Sequence, residues 1–143
     1  MSSASARPAA EFTVLVYSDD PAVRERMRLA IGRRPAPDLG RVEYLECSTG
    51  EEVVAAADSH VPDVLVLDAE AWPTGGLGLS RQLKNEITAC PAICVVLARK
   101  VDRWLATWSM ADTTLSHPLD PLLAAEVVAD LLRTRARRAP VTR

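Results

Sequence analysis

The stretch Val64-Leu65-Val66-Leu67-Asp68 decides the fold of this 143-residue chain. It is a short apolar run that ends in a carboxylate, and the turn-forming residues Trp72-Pro73-Thr74-Gly75-Gly76 follow it closely. A run of Val and Leu bounded by turn residues is typical of a strand buried on both faces of a parallel sheet. In open α/β sheets the functional crevice lies at the carboxyl ends of the strands. The sequence therefore puts Asp68 where a functional site would be.

Similar apolar runs occur before and after this stretch, and segments with helical periodicity separate them. We predict strands over residues 12–17, 42–47, 64–68, 92–97 and 113–116. Strands that alternate with helices in this way predict a parallel sheet covered by helices on both faces. For a chain this short we expect an α/β flavodoxin-like (βα)5 fold, a three-layer sandwich whose parallel five-stranded sheet has the order 2-1-3-4-5.

Capping residues locate the starts of the first two helices. Asp20 and Pro21 fit the N-cap and the first position of a helix that we expect to run to about Arg33. Either Ser48 or Thr49 fits the start of the second helix, because each has a glutamate three residues later, as a capping box requires.

The last two helices carry large apolar side chains whose burial can be predicted from their spacing. Asp102 would cap the fourth helix, and the default for Trp104 and Trp108, which share one helical face, is packing into the core. If that face is exposed, the two tryptophans would form a docking surface, because aromatic anchors dominate interfaces. In the fifth helix, which begins at Asp120-Pro121, the predicted buried face is Leu123, Val127 and Leu131.

Composition and charge restrict the class of protein. Apolar residues form 48% of the chain and charged residues 25%, as in ordinary globular domains. The net charge of −2 provides no field that would attract nucleic acid or a membrane surface. No apolar run approaches the ~20 residues of a membrane span, and the N-terminus lacks the apolar core of a secretory signal. We therefore predict a cytoplasmic domain over residues 12–134, with a disordered leader (1–11) and a basic tail (135–143).

The predicted strand order brings polar residues together at one edge of the sheet. Strands 1 and 3 are neighbours where the strand order reverses, so the residues after strand 1 should lie beside Asp68. The ends of strands 4 and 5 should be close by. The candidate site therefore comprises Ser18, Asp19, Asp20, Asp68, Leu97, Ala98 and His117.

The carboxylates of this crevice suit a divalent cation. Neighbouring carboxylates repel one another, and a hard cation relieves the repulsion. Mg²⁺ needs only one or two carboxylates together with waters and a phosphate oxygen, so Asp19 and Asp68 would suffice for a modest site. A carboxylate beside such a cation can itself accept a phosphoryl group. Helix capping accounts for Asp20, and the alternative role for Asp68 is the capping of a turn.

Two motifs carry a resemblance to a known family. The runs Val14–Arg24 (VLVYSDDPAVR) and Pro62–Asp68 (PDVLVLD) resemble the corresponding segments of receiver domains of response regulators. Pro91 before strand 4 and Pro118-Leu119 after strand 5 add to the likeness, which covers Thr13 to Leu132. The chain thus resembles an atypical single-domain receiver of two-component signalling, of the actinobacterial orphan type.

The resemblance implies roles for the residues at the ends of strands 1 and 3. Asp68 matches the aspartate that accepts a phosphoryl group from a histidine kinase, and Asp19 matches the second acid of a pair that binds Mg²⁺. The backbone carbonyl of Glu70 would be a further metal ligand. Ser18 stands where the family has the first acid, which implies weak or absent Mg²⁺ binding.

The family pattern is incomplete at the ends of strands 4 and 5. Leu97 falls where the family has a Ser or Thr that contacts the phosphoryl group, and His117 falls where it has a Lys. Thr114 replaces the aromatic residue that the family often uses as a switch. Leu97 cannot donate a hydrogen bond, and His117 is shorter than Lys and mostly neutral at pH 7 unless Asp68 draws a proton to it.

These residues favour an atypical receiver in a phosphorelay, not an enzyme, that acts through protein–protein contacts. The implied partners are a sensor histidine kinase and a downstream protein bound on helix 4, strand 5 and helix 5; we expect no nucleic acid or membrane partner, and a monomer or weak homodimer. One alternative is a pseudo-receiver interaction module that works without phosphorylation. Another is a small Mg²⁺-dependent phosphotransfer enzyme with Asp68 as nucleophile, which the lack of further acids after strand 4 disfavours.

Overall fold

A computed structural model describes residues 11–98 and 103–138, which form a parallel sheet between two layers of helices. In chain order the elements are β1 (Phe12–Tyr17), α1 (Pro21–Ile31), β2 (Val42–Cys47), α2 (Gly50–Ser59), β3 (Val64–Asp68), α3 (Gly76–Glu86), β4 (Ala92–Leu97), α4 (Arg103–Trp108), β5 (Thr113–Ser116) and α5 (Pro121–Arg138). The strand order is β2-β1-β3-β4-β5. The predicted flavodoxin-like topology is therefore confirmed.

Strand β3 is the central strand, and every one of its residues is buried. It pairs in parallel with β1 on one side and with β4 on the other. Alternate strand residues point to opposite faces of a sheet, and the core is accordingly divided in two. Val14, Val66 and Val96 pack with α1 and α5, and we call this the α1/α5 face. Leu65 and Leu97 pack with α2 and α3 on the α2/α3 face.

The first two helices begin where the capping residues predict. The side chain of Asp20 accepts a hydrogen bond from the backbone amide of Ala22, and Pro21 is the first residue of α1. Thr49, rather than Ser48, caps α2 in a complete capping box with Glu52. Helix α1 ends at Ile31, before the predicted Arg33, because Gly32 has a φ of 84°, a conformation that ends helices and favours glycine.

The buried face of helix α5 differs from the prediction at one position. Leu123 is 49% exposed, whereas the neighbouring Ala124 is fully buried. The residues of α5 that belong to the core are Ala124, Val128, Ala129 and Leu132. The predicted residues Val127 and Leu131 are partly buried and do pack against this core, so the prediction was wrong only at Leu123, whose place the small side chain of Ala124 takes.

The same helix continues beyond the boundary that the sequence suggested at Thr134. Arg133 pairs with Asp38, and Arg135 lies 3.3 Å from a carboxylate oxygen of Asp63. These ion pairs tie the last turns to the rest of the domain, so the predicted basic tail is helical as far as Arg138. Residues 1–10 of the predicted leader (1–11), the predicted cap Asp102 and residues 139–143 lie outside the described part of the chain.

The tryptophans of α4 do not pack in the core. Trp104 is 64% exposed and Trp108 is 42% exposed, so the default expectation was wrong and the alternative, an exposed aromatic surface, is correct. The centre of the Trp108 ring lies 5.1 Å from the guanidinium carbon of Arg81 on α3. None of the helices in the described ranges is long and apolar enough to cross a membrane.

Candidate functional site

The carboxylate of Asp68 lies at the end of β3, where only 4% of the residue is exposed. The buried hydroxyl of Ser18, just past the end of β1, donates a hydrogen bond of 2.7 Å to Oδ2 of Asp68. The other oxygen, Oδ1, accepts a 2.8 Å bond from the backbone amide of Glu70. Both oxygens of Asp68 therefore already have a donor from the protein, which offsets the cost of burying the carboxylate.

Asp19 binds to the loop that follows β3. Its Oδ1 accepts a hydrogen bond of 3.0 Å from the backbone amide of Trp72, while the residue itself is exposed. The loop thereby crosses from the end of β3 to the end of β1. Asp19, Ser18 and Asp68 form one site, as the strand order predicts, and the backbone of Glu70 lies beside it through its bond to Asp68.

The position next to Asp68 on β4 belongs to Val96. Asp68 and Val96 are partners in the parallel register, and the amide of Ala69 donates to the carbonyl of Val96 at 2.8 Å. Leu97 points to the α2/α3 face, away from the side of the sheet on which Asp68 and Val96 lie. The prediction that Leu97 lies beside Asp68 was therefore wrong by one residue. The sequence alone could not identify Val96, because the residue of β4 that pairs with Asp68 depends on the register between the two strands.

His117 follows β5 and is half-buried. Its backbone amide donates to the carbonyl of Leu97 at 2.8 Å, which holds it against the end of β4. Its side chain lines a cleft of about 590 Å³ between α1 and the start of α5, together with Arg26, Leu29, Ala30, Ala98, Pro118, Leu119 and Pro121. The described part of the chain gives the imidazole no hydrogen bond or ion pair with Asp68.

The donors of this crevice suit a modest magnesium site. Within residues 11–98 and 103–138 no group of three or more His, Cys, Asp or Glu side chains is arranged to hold a metal. Asp19 and Asp68 nevertheless bind the same loop after β3, and each carboxylate has lone pairs beyond the hydrogen bonds described. Mg²⁺ keeps several waters and needs only one or two carboxylates. The carboxylates of Asp19 and Asp68 are therefore suitable in kind and number for this ion, without the strength that a third carboxylate would add.

Comparison with known proteins identifies the family. No family model matches the chain. Two curated relatives, from the CDC 1551 / Oshkosh and H37Rv strains of Mycobacterium tuberculosis, are each called an uncharacterized response regulatory protein. Each is 45% identical over 123 residues, which cover 86% of this chain and 92% of the relative. The chain belongs to the response-regulator family.

Solved structures agree on the fold. The receiver domain of NarL from Mycobacterium tuberculosis matches with a TM-score of 0.71 at 19% identity, over 87% of this chain and 98% of that one. A receiver domain from Bermanella marisrubri matches with a TM-score of 0.65 at 24% identity, over 84% and 97%. The beryllium fluoride-activated receiver domain of DrrB matches at 0.66 and 19%, over 85% and 97%. The protein is a receiver domain of two-component signalling, a class whose members typically bind Mg²⁺ and interact with sensor kinases.

Proposed function

We propose that this receiver accepts a phosphoryl group on Asp68 and signals through contacts with another protein. The observation that supports this most directly is the position of the Asp68 carboxylate, at the crevice between β1 and β3 and beside Asp19. In the transfer, a carboxylate oxygen of Asp68 attacks the phosphorus of a phosphohistidine. The phosphorus–nitrogen bond breaks, and its electron pair stays on the imidazole of the kinase.

Asp19, Asp68 and the carbonyl of Glu70 would hold Mg²⁺ in this crevice. The bound ion would offset the negative charge that gathers between the carboxylates and the incoming phosphoryl oxygens. The hydrogen bond between Trp72 and Asp19 keeps the carboxylate of Asp19 and the loop that carries Glu70 close together. This arrangement reduces the reorganisation that binding would otherwise require.

Ser18 makes the site atypical. Where the family has a second carboxylate, Ser18 contributes a hydroxyl that donates to Asp68, so the crevice has less negative charge to neutralise. Its hydrogen bond also uses one lone pair of Oδ2, which makes that oxygen a weaker donor to phosphorus or to a cation. We therefore expect Mg²⁺ to bind weakly and phosphorylation to be slow.

The end of β4 supports a limited response to phosphorylation. Val96, beside Asp68, has no hydroxyl with which to bind a phosphoryl oxygen, and neither Leu97 nor Ala98 supplies one. His117 is the remaining candidate, because a phosphoryl group would favour its protonated form. The phosphoryl group would therefore attract the end of β4 only weakly, and the structural change that transmits the signal would be small.

The second candidate function is an interaction module that works without phosphorylation. It is favoured by Val96 and by the exposed rings of Trp104 and Trp108, which form an aromatic surface without any phosphoryl group. Either function describes a cytoplasmic partner-binding protein rather than an enzyme. The partners would be a sensor histidine kinase in the first case and a downstream protein that binds at α4, β5 and α5 in both.

The test is phosphoryl transfer from a small donor. Wild-type protein is incubated with acetyl phosphate and Mg²⁺, and its intact mass is followed beside Asp68→Asn and, as a matched control, Asp58→Asn, which changes a carboxylate on α2. We expect one added phosphoryl group in the wild type and in Asp58→Asn, and none in Asp68→Asn. No added mass in the wild type would favour the interaction module. Turnover of a phosphate monoester that is lost in Asp68→Asn would instead indicate a phosphotransfer enzyme.

A further inference from the structure

Tyr17 is a polar group inside an apolar cluster. It is the last residue of β1, it is fully buried, and it packs on the α2/α3 face with Leu15 and Leu67. Its phenol donates a hydrogen bond of 2.6 Å to the backbone carbonyl of Thr74. A buried hydroxyl without such a partner would be costly, so this bond fixes where Thr74 can lie.

Thr74 belongs to the loop between β3 and α3. Besides the bond from Tyr17, this loop has fixed contacts near its start and at its end. Near its start, the amide of Trp72 donates to Asp19. At its end, a Cβ on Gly75 would lie 2.7 Å from the carbonyl oxygen of Ala69, and one on Gly76 would lie 2.9 Å from that of Asp68. The loop thus folds closely back on the end of β3, and Glu70 lies in the short stretch between Asp68, which accepts from its amide, and the fixed amide of Trp72.

We propose that Tyr17 is a positioning residue for the metal-binding edge of the crevice. Through Thr74 it holds the loop in the conformation that presents the Glu70 carbonyl and the Trp72 amide beside Asp68 and Asp19. This inference rests on the proposed function, because it concerns the same candidate Mg²⁺ site. Tyr17 itself touches neither the cation nor the phosphoryl group.

A matched pair of tyrosines allows a controlled test. Tyr17→Phe removes the hydroxyl and keeps the ring. Tyr44→Phe makes the same change at a second tyrosine. The phenol of Tyr44 donates to the carbonyl of Gly32, which follows α1 and is not part of the crevice. Each variant loses one tyrosine–carbonyl hydrogen bond, so a general loss of stability should affect both.

Mg²⁺ titrations followed by amide NMR give the first readout. A lost hydrogen bond is worth about 1 kcal/mol, so we expect the dissociation constant to rise by about three- to tenfold in Tyr17→Phe and to stay at the wild-type value in Tyr44→Phe. Equal affinities in the wild type and both variants would overturn the inference.

A second readout does not depend on the metal. Hydrogen exchange of the Trp72 amide, measured without Mg²⁺, should be about three- to tenfold faster in Tyr17→Phe than in Tyr44→Phe, because that amide is protected only while the loop is closed. If the wild type binds no Mg²⁺, the proposed function fails, yet this exchange rate still tests the role of Tyr17. An unchanged rate in Tyr17→Phe overturns it.

Discussion

The two halves of the crevice differ in what they offer a ligand. The acidic half, at the ends of β1 and β3, consists of Ser18, Asp19 and Asp68, which hydrogen bonds hold in place. The apolar half, at the ends of β4 and β5, presents Val96 beside Asp68 and leaves His117 in a largely apolar cleft. The first half has the chemistry to bind a cation, and the second has little with which to bind a phosphoryl oxygen.

This difference separates two functions that a receiver normally combines. In the proposed function, accepting a phosphoryl group depends on carboxylates and on a cation bound to them. The acidic half supplies the carboxylates. Responding to a bound phosphoryl group depends on a hydroxyl and a cationic side chain. In the apolar half Val96 has no hydroxyl, and His117 stands in place of the cationic lysine. We therefore expect changes in the acidic half to alter metal binding strongly, and changes in the apolar half to alter only the binding of a phosphoryl mimic.

The largest effect should come from Ser18→Asp, which restores a carboxylate to the acidic half. We expect Mg²⁺ to bind about tenfold tighter or more, because the added charge attracts the cation directly. Isothermal titration calorimetry measures the affinity, and Ser18→Ala is the control that removes the hydroxyl without adding charge. Equal Mg²⁺ affinities in Ser18→Asp and Ser18→Ala would show that the missing acid does not limit the site.

A smaller effect should follow Val96→Thr in the apolar half. The change keeps the shape of the side chain and adds a hydroxyl on the face of the sheet where Asp68 lies, so beryllium fluoride should bind about fivefold tighter. Leu97→Thr is the matched control on the opposite face. It should lose about 1–3 kcal/mol of stability without any gain in binding. Tighter binding in Leu97→Thr instead would show that the faces have been assigned wrongly.

His117→Lys should tighten beryllium fluoride binding less, by about twofold, because the ammonium group would be partly solvated at the edge of the crevice. His60→Lys adds the same charge at the end of α2, where the His60 ring contacts the carbonyls of Asp58 and Thr88. Fluorescence titration compares the two variants. A gain of the same size in both would mean that net charge, and not the position of His117, controls binding.

The smallest effect concerns an ion pair outside the crevice. Hydrogen bonding to Arg133 lowers the pKa of the Asp38 carboxyl to about 2. The folded-state pKa is below the unfolded one, so the pair stabilises the protein above an unfolded pKa of about 4, and that contribution disappears as the pH falls through about 2. In Arg133→Gln the pKa should return towards its ordinary value, as an NMR titration of Asp38 would detect. Metal binding should not change.

Most of the fold could be predicted from the sequence because its signals are local. The buried run at β3, the caps at Asp20 and Thr49 and the alternation of elements each depend on neighbouring residues. The errors arose where packing between elements decides the outcome. Which residues of α5 enter the core depends on the fit of Ala124, and Trp108 lies beside Arg81 of α3 instead of entering the core.

The candidate site followed the same rule. The strand order was sufficient to bring Ser18 and Asp19 to Asp68, since it required only the topology. The partner of Asp68 on β4 required the register between two strands, which the sequence does not provide, and the residue beside Asp68 is Val96 and not the predicted Leu97. The partner of the Ser18 hydroxyl also lay beyond the sequence; once that partner is the carboxylate of Asp68, which can only accept, the hydroxyl must donate.

The most direct test of the central claim uses Trp72, which lies in the loop after β3 and is well exposed. Tryptophan fluorescence is followed while Mg²⁺ and then beryllium fluoride are added to the wild type, to Asp68→Ala and to Trp72→Phe, which assigns the signal. We predict a saturable response to Mg²⁺ and a further change with beryllium fluoride that is absent from Asp68→Ala. No response up to millimolar Mg²⁺, together with an unchanged amide NMR spectrum, would contradict the role of Asp68 as a phosphoacceptor.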